Sequence, residues 1–199
     1  MPNWTQNNVN ITGTYEDIRT FIKTITNTDK DGENFFDFTL CKPMPKEFDN
    51  LHQGSRTIDD VRYDAWYEDE DGVRPMLDMV KDKLKQEHGT YQPIDWQYNN
   101  WGTKWGDCRT ELLEDIKDNG NGKREVSFHF ESAWGEPFML LNDIAIKFNL
   151  EIENAWDIEL GNGEGVSNYP WTPEDTELIY NEHVAGLEAM RESVRFNRE

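Results

Sequence analysis

The chain has 199 residues, and its 40 Asp and Glu outnumber 20 Lys and Arg, for a formal net charge of −20. That excess excludes a conventional nucleic-acid binder with a basic face and disfavours docking on anionic membrane. Hydrophobic residues make up only 36%, but aromatics reach 13%, which argues against a chain disordered throughout and for a core built on large rings.

Residues 8–12 alternate Val9 and Ile11 with Asn8, Asn10 and Thr12, the pattern of a strand with one wet face. Gly13 ends it. Thr14, with Asp17 three positions on, starts a helix whose apolar stripe is Ile18, Phe21, Ile22 and Ile25. A turn-rich loop over 27–34 leads to a second strand at 35–40, stopped by Pro43 and Pro45. The polar stretch 46–74, with the acidic run Glu68-Asp69-Glu70-Asp71, reads as a solvated loop. Pro75 suits the first turn of a helix that carries Leu77, Val80 and Leu84 and closes at Gly89. An aromatic segment begins at Tyr91. Then come an extra strand near 110–116, a turn rich in Asn-Gly at 118–122 and a strand at 125–130. Pro137 opens a helix with Phe138, Leu141, Ile144, Ala145 and Phe148 on one face. A strand over 150–160 ends at Gly161, Gly163 and Gly165. Thr172-Pro173-Glu174-Asp175 starts a terminal helix that runs to about Val194.

These elements predict an α+β fold: a ferredoxin-like βαββαβ antiparallel sheet with helices on one face, an insertion after the second strand and an extra C-terminal helix. One domain is expected over 1–165, with its insertion at about 43–100, followed by a helical extension over 166–199. Cys41 and Cys108 are too few for a disulfide framework, so two reduced thiols are expected. No stretch reaches the roughly 18 apolar residues of a membrane span. Residues 1–13 lack the basic and apolar regions of a signal peptide, so the protein is expected in a cytoplasm.

Four motifs stand out in order: Met1-Pro2-Asn3-Trp4, Lys42-Pro43-Met44-Pro45, Asn100-Trp101-Gly102-Thr103-Lys104-Trp105 and Ser132-Ala133-Trp134-Gly135-Glu136-Pro137. With these motifs the chain resembles the YubB-type (Api-type) ferredoxin-like family of phage and plasmid proteins over residues 1 to about 165. Members of that family often carry Cys after the first Trp, where Thr5 stands here. The resemblance implies a ferredoxin-like fold, a mobile-element origin and no particular activity; it does not extend to the terminal helix.

Catalytic and metal chemistry finds little support in linear spacing. Asn27-x-Asp29-x-Asp31-Gly32 matches the first half of an EF-hand loop, but its twelfth position is Phe38 where a bidentate Glu is needed. Asp69 and Asp71 before Gly72 fail the same test. His52, His88, His129 and His183 show no zinc spacing. Cys108 has no orienting motif for a nucleophile, and Gly161-x-Gly163-x-Gly165 lacks the strand-then-helix setting of a dinucleotide fingerprint. No catalytic residue, metal or cofactor is assigned.

Asn100, Trp101, Thr103, Lys104 and Trp105, with Trp134 and Glu136, are the candidate binding residues. Two indoles, a glycine and a lysine in six residues suit a stacking platform for a base or an anchor for a partner protein. They equally suit a loop packed on the sheet, with Trp134 and Trp156 completing an aromatic cluster. The second candidate is charge. Between Lys147 and Arg191 there is no Lys or Arg, while ten Asp and Glu occur. Glu151, Glu153, Asp157 and Glu159 share one strand phase, and Glu174, Glu177 and Glu188 fall near whole helical turns. Such a field attracts basic surfaces, although solubility or salt adaptation of the host explains acidity equally.

The expected function is therefore that of a non-catalytic acidic phage protein in the host cytoplasm. It would mask a basic, nucleic-acid-binding surface of a host or phage protein, in the sharpest form as a DNA mimic. A protein partner is expected; duplex nucleic acid and membrane are not. The alternatives are a nucleotide or single-stranded nucleic-acid binder using Trp101 and Trp105, and an enzyme of uncharacterised type.

Overall fold

The computed structural model describes residues 3–28, 34–104, 108–118, 120–161, 163–172, 174, 175, 177 and 178. In chain order its elements are β1 (Trp4–Gly13), α1 (Tyr15–Ile25), β2 (Thr26–Thr28), β3 (Asn34–Phe36), α2 (Phe38–Cys41), β4 (Leu51–Ile58), β5 (Val61–Asp69) and β6 (Gly72–Pro75). There follow α3 (Asp78–His88), α4 (Pro93–Trp101), β7 (Cys108–Asp118), β8 (Arg124–Ala133), α5 (Phe138–Phe148), β9 (Glu151–Ile158) and β10 (Gly163–Tyr169). The fold is mixed α+β with antiparallel sheets. β1 is the middle strand of a five-stranded sheet in the order β10-β9-β1-β8-β7; β2-β3 and β4-β5-β6 form two smaller sheets.

Period-2 patterning builds the main core. Val9 lies opposite Phe128, and Ile11 lies opposite Val126 on one side and Ile152 on the other. All five are at most 3% exposed. Helix α1 starts as expected: the Thr14 hydroxyl donates to Asp17 Oδ2 at 2.7 Å and accepts from Asp17 N at 3.2 Å, a reciprocal cap. Its Ile18, Phe21 and Ile25 are fully buried. The Phe21 ring meets Phe128 edge-on at 6.1 Å and Phe148 of α5 at 5.6 Å, the geometry that ring quadrupoles favour. Both helices thus lie on one face of the sheet. No helix of the described residues is long and apolar enough to cross a membrane.

Several expectations are corrected. No strand runs over 35–40. β3 stops at Phe36, and the Asp37 carboxylate accepts from Thr39 N at 2.8 Å and Thr39 Oγ1 at 2.6 Å, which turns the chain into α2. Phe36 and Phe38 are both buried, so they mimic a strand's alternation while belonging to different elements. The neighbour of β8 is β7. The stretch 46–74 is no loop: it holds the β4-β5-β6 meander. Its first hairpin turns at Asp59 and Asp60, both at positive φ (49° and 64°), as a two-residue turn of right-handed strand twist requires. The acidic run caps the second hairpin, where Asp69 binds Arg74 at 2.9 Å. Pro75 ends β6 rather than opening a helix, and α3 begins at Asp78.

The aromatic segment contains a helix, α4, with Pro93 in its first turn and Gly102 (φ 84°) as its left-handed stop. A Cβ on Gly102 would stand 2.7 Å from the Phe138 ring. The glycines after β9 do not end the sheet either. Gly163 and Gly165 belong to β10, which pairs with β9 from Gly163↔Ile158 to Tyr169↔Ile152. Trp156 lies across them: a Cβ on Gly165 would come within 2.7 Å of its indole. The expected domain boundary at residue 165 accordingly falls inside a strand. At the terminal helix start, Thr172 and Asp175 exchange bonds of 2.6 and 3.2 Å, and residues 174, 175, 177 and 178 are helical. The rest of that helix lies outside the described residues.

Candidate functional site

The sheet has two faces of opposite character. The helix-covered face carries the core; the other presents the alternate residues of each strand. On β9 these are Glu151, Glu153, Ala155 and Asp157. All three acids are exposed, as period 2 requires. The register sets Glu153 beside Asn10 of β1 and Asn168 of β10, and Asp157 beside Gln6 and Glu164. Asn8, Asn10, Glu164, Val166 and Asn168 are exposed as well, so over β10, β9 and β1 no described residue covers this face. A shallow open depression lies between Asn10, Thr12, Glu125, Glu151, Glu153 and Asn168. Lys123 reaches its rim, with Nζ 2.5 Å from Glu151 Oε1.

Glu159 departs from the expected set. It sits in a 3-10 turn, Glu159–Gly161, beyond the end of β9, and its Oε2 accepts from Trp4 N at 3.2 Å. Glu174 and Glu177 are exposed; Glu188 lies outside the described residues.

The aromatic candidates divide. Trp101 is 6% exposed, donates its indole N–H to Lys42 O at 3.0 Å and meets Trp96 and Phe38 edge-on. It is a core residue with no free face for a base. Asn100 bonds back to Trp96 O at 2.9 Å, and buried Thr103 donates to Ala133 O at 2.6 Å, so this segment ties the end of α4 to the end of β8. Trp105 lies outside the described residues. Trp134 is different: it is 50% exposed, with Lys104 Nζ 5.9 Å from its ring centroid. Its φ of 73° is unusual for a bulky residue and is held in part by its N–H bond to Asn3 O at 2.8 Å.

Glu136 forms a third constellation, under the helix-covered face. Its carboxylate accepts from Asn154 Nδ2 (2.8 Å), Ser167 Oγ (2.5 Å) and Tyr169 OH (3.0 Å). Asn154 also donates to Asn7 Oδ1 at 3.1 Å, and Trp156 Nε1 donates to Ser167 Oγ at 3.1 Å. Burial pushes the Glu136 carboxyl above its ordinary 4.5, against the pull of the three donors. Burial, reinforced by the Glu136 carboxylate, pushes the Tyr169 phenol far up. The group pins β9 and β10 to the start of α5. Sequence reading missed Asn7, Asn154, Ser167 and Tyr169. The signal was present: Asn7 and Asn154 break the otherwise buried apolar phase of their strands, and a buried amide demands partners.

Of the cysteines, Cys41 is half-buried at the end of α2. A scan of family models, a search of curated proteins and a search of solved structures each find no match to this chain.

Proposed function

We propose that the chain is a non-catalytic binding protein of a phage, and that its uncovered acidic sheet face docks on the basic, nucleic-acid-binding surface of a host or phage protein in the infected cell. The observation that carries this reading is the common exposed face of Glu151, Glu153, Asp157 and Glu164. Along β9, Glu151 and Glu153 stand roughly 7 Å apart at two residues, and Asp157 stands roughly 13 Å beyond Glu153 at four. A single DNA strand places a phosphate per ~3.4 Å of axis. The face is thus a sparser lane than DNA, suited to cover Lys and Arg of a groove without reproducing a duplex charge for charge. The family resemblance supports the phage origin. The strands β9, β1, β8 and β7 stand fourth, first, third and second in chain order among themselves, which supports a ferredoxin-like core with β10 added at its edge and the meander as an insertion.

The test uses the purified chain as bait in infected-cell lysate. The expected prey is a basic protein that is released by added salt and displaced by duplex DNA. A variant with Glu151, Glu153, Asp157 and Glu164 all changed to Lys should melt as the wild type does and lose that prey, since exposed strand positions tolerate substitution. Retention at physiological salt would sink the charge reading and move attention to Trp134 beside Lys104.

A further inference from the structure

Away from the acidic face, the insertion brings together three groups that are far apart or unremarkable in the sequence: Glu47 in the 3-10 turn Lys46–Phe48, and Glu87 with His88 at the end of α3. One ligand atom from each lies within 4.8 Å of the other two. His88 Nε2 is buried and has no hydrogen-bond partner. It stands 3.9 Å from Glu47 Oε2, too far for a hydrogen bond. That gap is close to the roughly 3.4 Å between two ligand atoms bound at about 2.1 Å around a tetrahedral cation. The imidazole packs against the Phe48 ring at 5.5 Å, and its side chain is 21% exposed. The two carboxylates are half exposed (50% and 42%) and can rotate inward. The arrangement is one buried imidazole nitrogen facing two exposed carboxylates.

We propose that Glu47, Glu87 and His88 form a divalent transition-metal site, with Zn2+ as the cation that fits best. A buried polar nitrogen that lacks a partner is unfavourable, and a metal satisfies it where neither carboxylate does. Imidazole with carboxylate suits Zn2+ rather than Mg2+ or Ca2+, which prefer oxygen throughout. Three protein ligands leave a fourth position for water. Lys83 Nζ, 3.8 Å from Glu87 Oε1, is the nearby competitor, and an exposed pair of that kind is weak. Bound metal would staple the 3-10 turn to α3 and so rigidify the insertion. The site shares no residue with the acidic face and does not rest on the docking reading.

The experiment titrates the chelator-treated full chain with Zn2+ by calorimetry in excess Mg2+. One saturable equivalent is expected. His88→Ala should weaken it by more than about tenfold, with Glu47→Gln and Glu87→Gln weakening it by about tenfold each. Co2+ substituted into the wild type should give visible bands that His88→Ala removes. Circular dichroism checks the fold, and Glu47→Gln, on an exposed turn, keeps the test decisive if His88→Ala unfolds. Absence of a saturable equivalent in the wild type, or uptake unchanged in both His88→Ala and Glu47→Gln, overturns the site.

Discussion

Phe128 shows what one side chain contributes. It is 3% exposed and lies within 6.2 Å of the Phe21 and Phe36 rings. Phe128→Ala is expected to cost about 3–5 kcal/mol as a large-to-small core change, read from chemical denaturation; a loss below about 1 kcal/mol would place it outside the core. Glu136 is the opposite case, a carboxyl whose burial outweighs three donors. Because its folded value lies above the unfolded 4.5, its contribution to stability is fully present below about pH 4.5 and is lost as pH rises through the folded value. The denaturation midpoint of the wild type relative to Glu136→Gln should therefore fall as pH is raised from about 4 to 8. A difference independent of pH would mean that Glu136 titrates as an ordinary surface acid.

At the scale of elements, α4 and β9 carry the two kinds of candidate. α4 ends in Trp101, whose indole is packed and bonded. Trp101→Ala should lower the melting temperature, at a cost of about 3–5 kcal/mol, whereas Trp134→Ala, half exposed, should move it little. Equal melts for wild type and Trp101→Ala would return Trp101 to the ligand platform. β9 alternates buried Ile152 and Asn154 with exposed Glu151 and Glu153, so its carboxylate phase was legible from period 2 alone. The β4-β5-β6 meander was equally written, in the alternation around Ala65 and in the two-residue turn Asp59-Asp60. Its high charge obscured it, since a narrow sheet with little buried surface leaves most side chains wet.

For the whole molecule the question is whether local or total charge governs binding. The four Lys substitutions on the sheet face still leave a strongly acidic chain. Reversing Asp49, Glu70, Asp71 and Asp82 instead, all exposed on the insertion, alters net charge equally. If the face is the site, the first variant loses the partner and the second keeps it. Wild-type affinity should fall steeply with added salt, because exposed charges are screened over about 10 Å at ~0.1 M. Equal losses from the two variants would mean that total charge alone attracts the partner.

By itself the sequence determined whatever depends on neighbours within a turn or a strand repeat. That includes the Thr14–Asp17 cap, the stripe of α1, the wet and dry phases of β1 and β9, the dry phase of β8, and the acidity of the exposed face; on β8 the polar phase is partly covered, with Ser127 and Glu131 buried. Only the tertiary structure decided which strands lie side by side. It put β7 rather than residues 35–40 beside β8, and it added β10 because Gly163 and Gly165 leave room for the Trp156 ring. It also decided which polar side chains meet. Asn7, Glu136, Asn154, Ser167 and Tyr169 converge from four separate segments, and Glu47 reaches His88 across forty-one positions. Caps and periodicity act over a few residues and are encoded where they act. Pairing and convergence depend on long-range burial, which becomes definite only when the chain closes on itself.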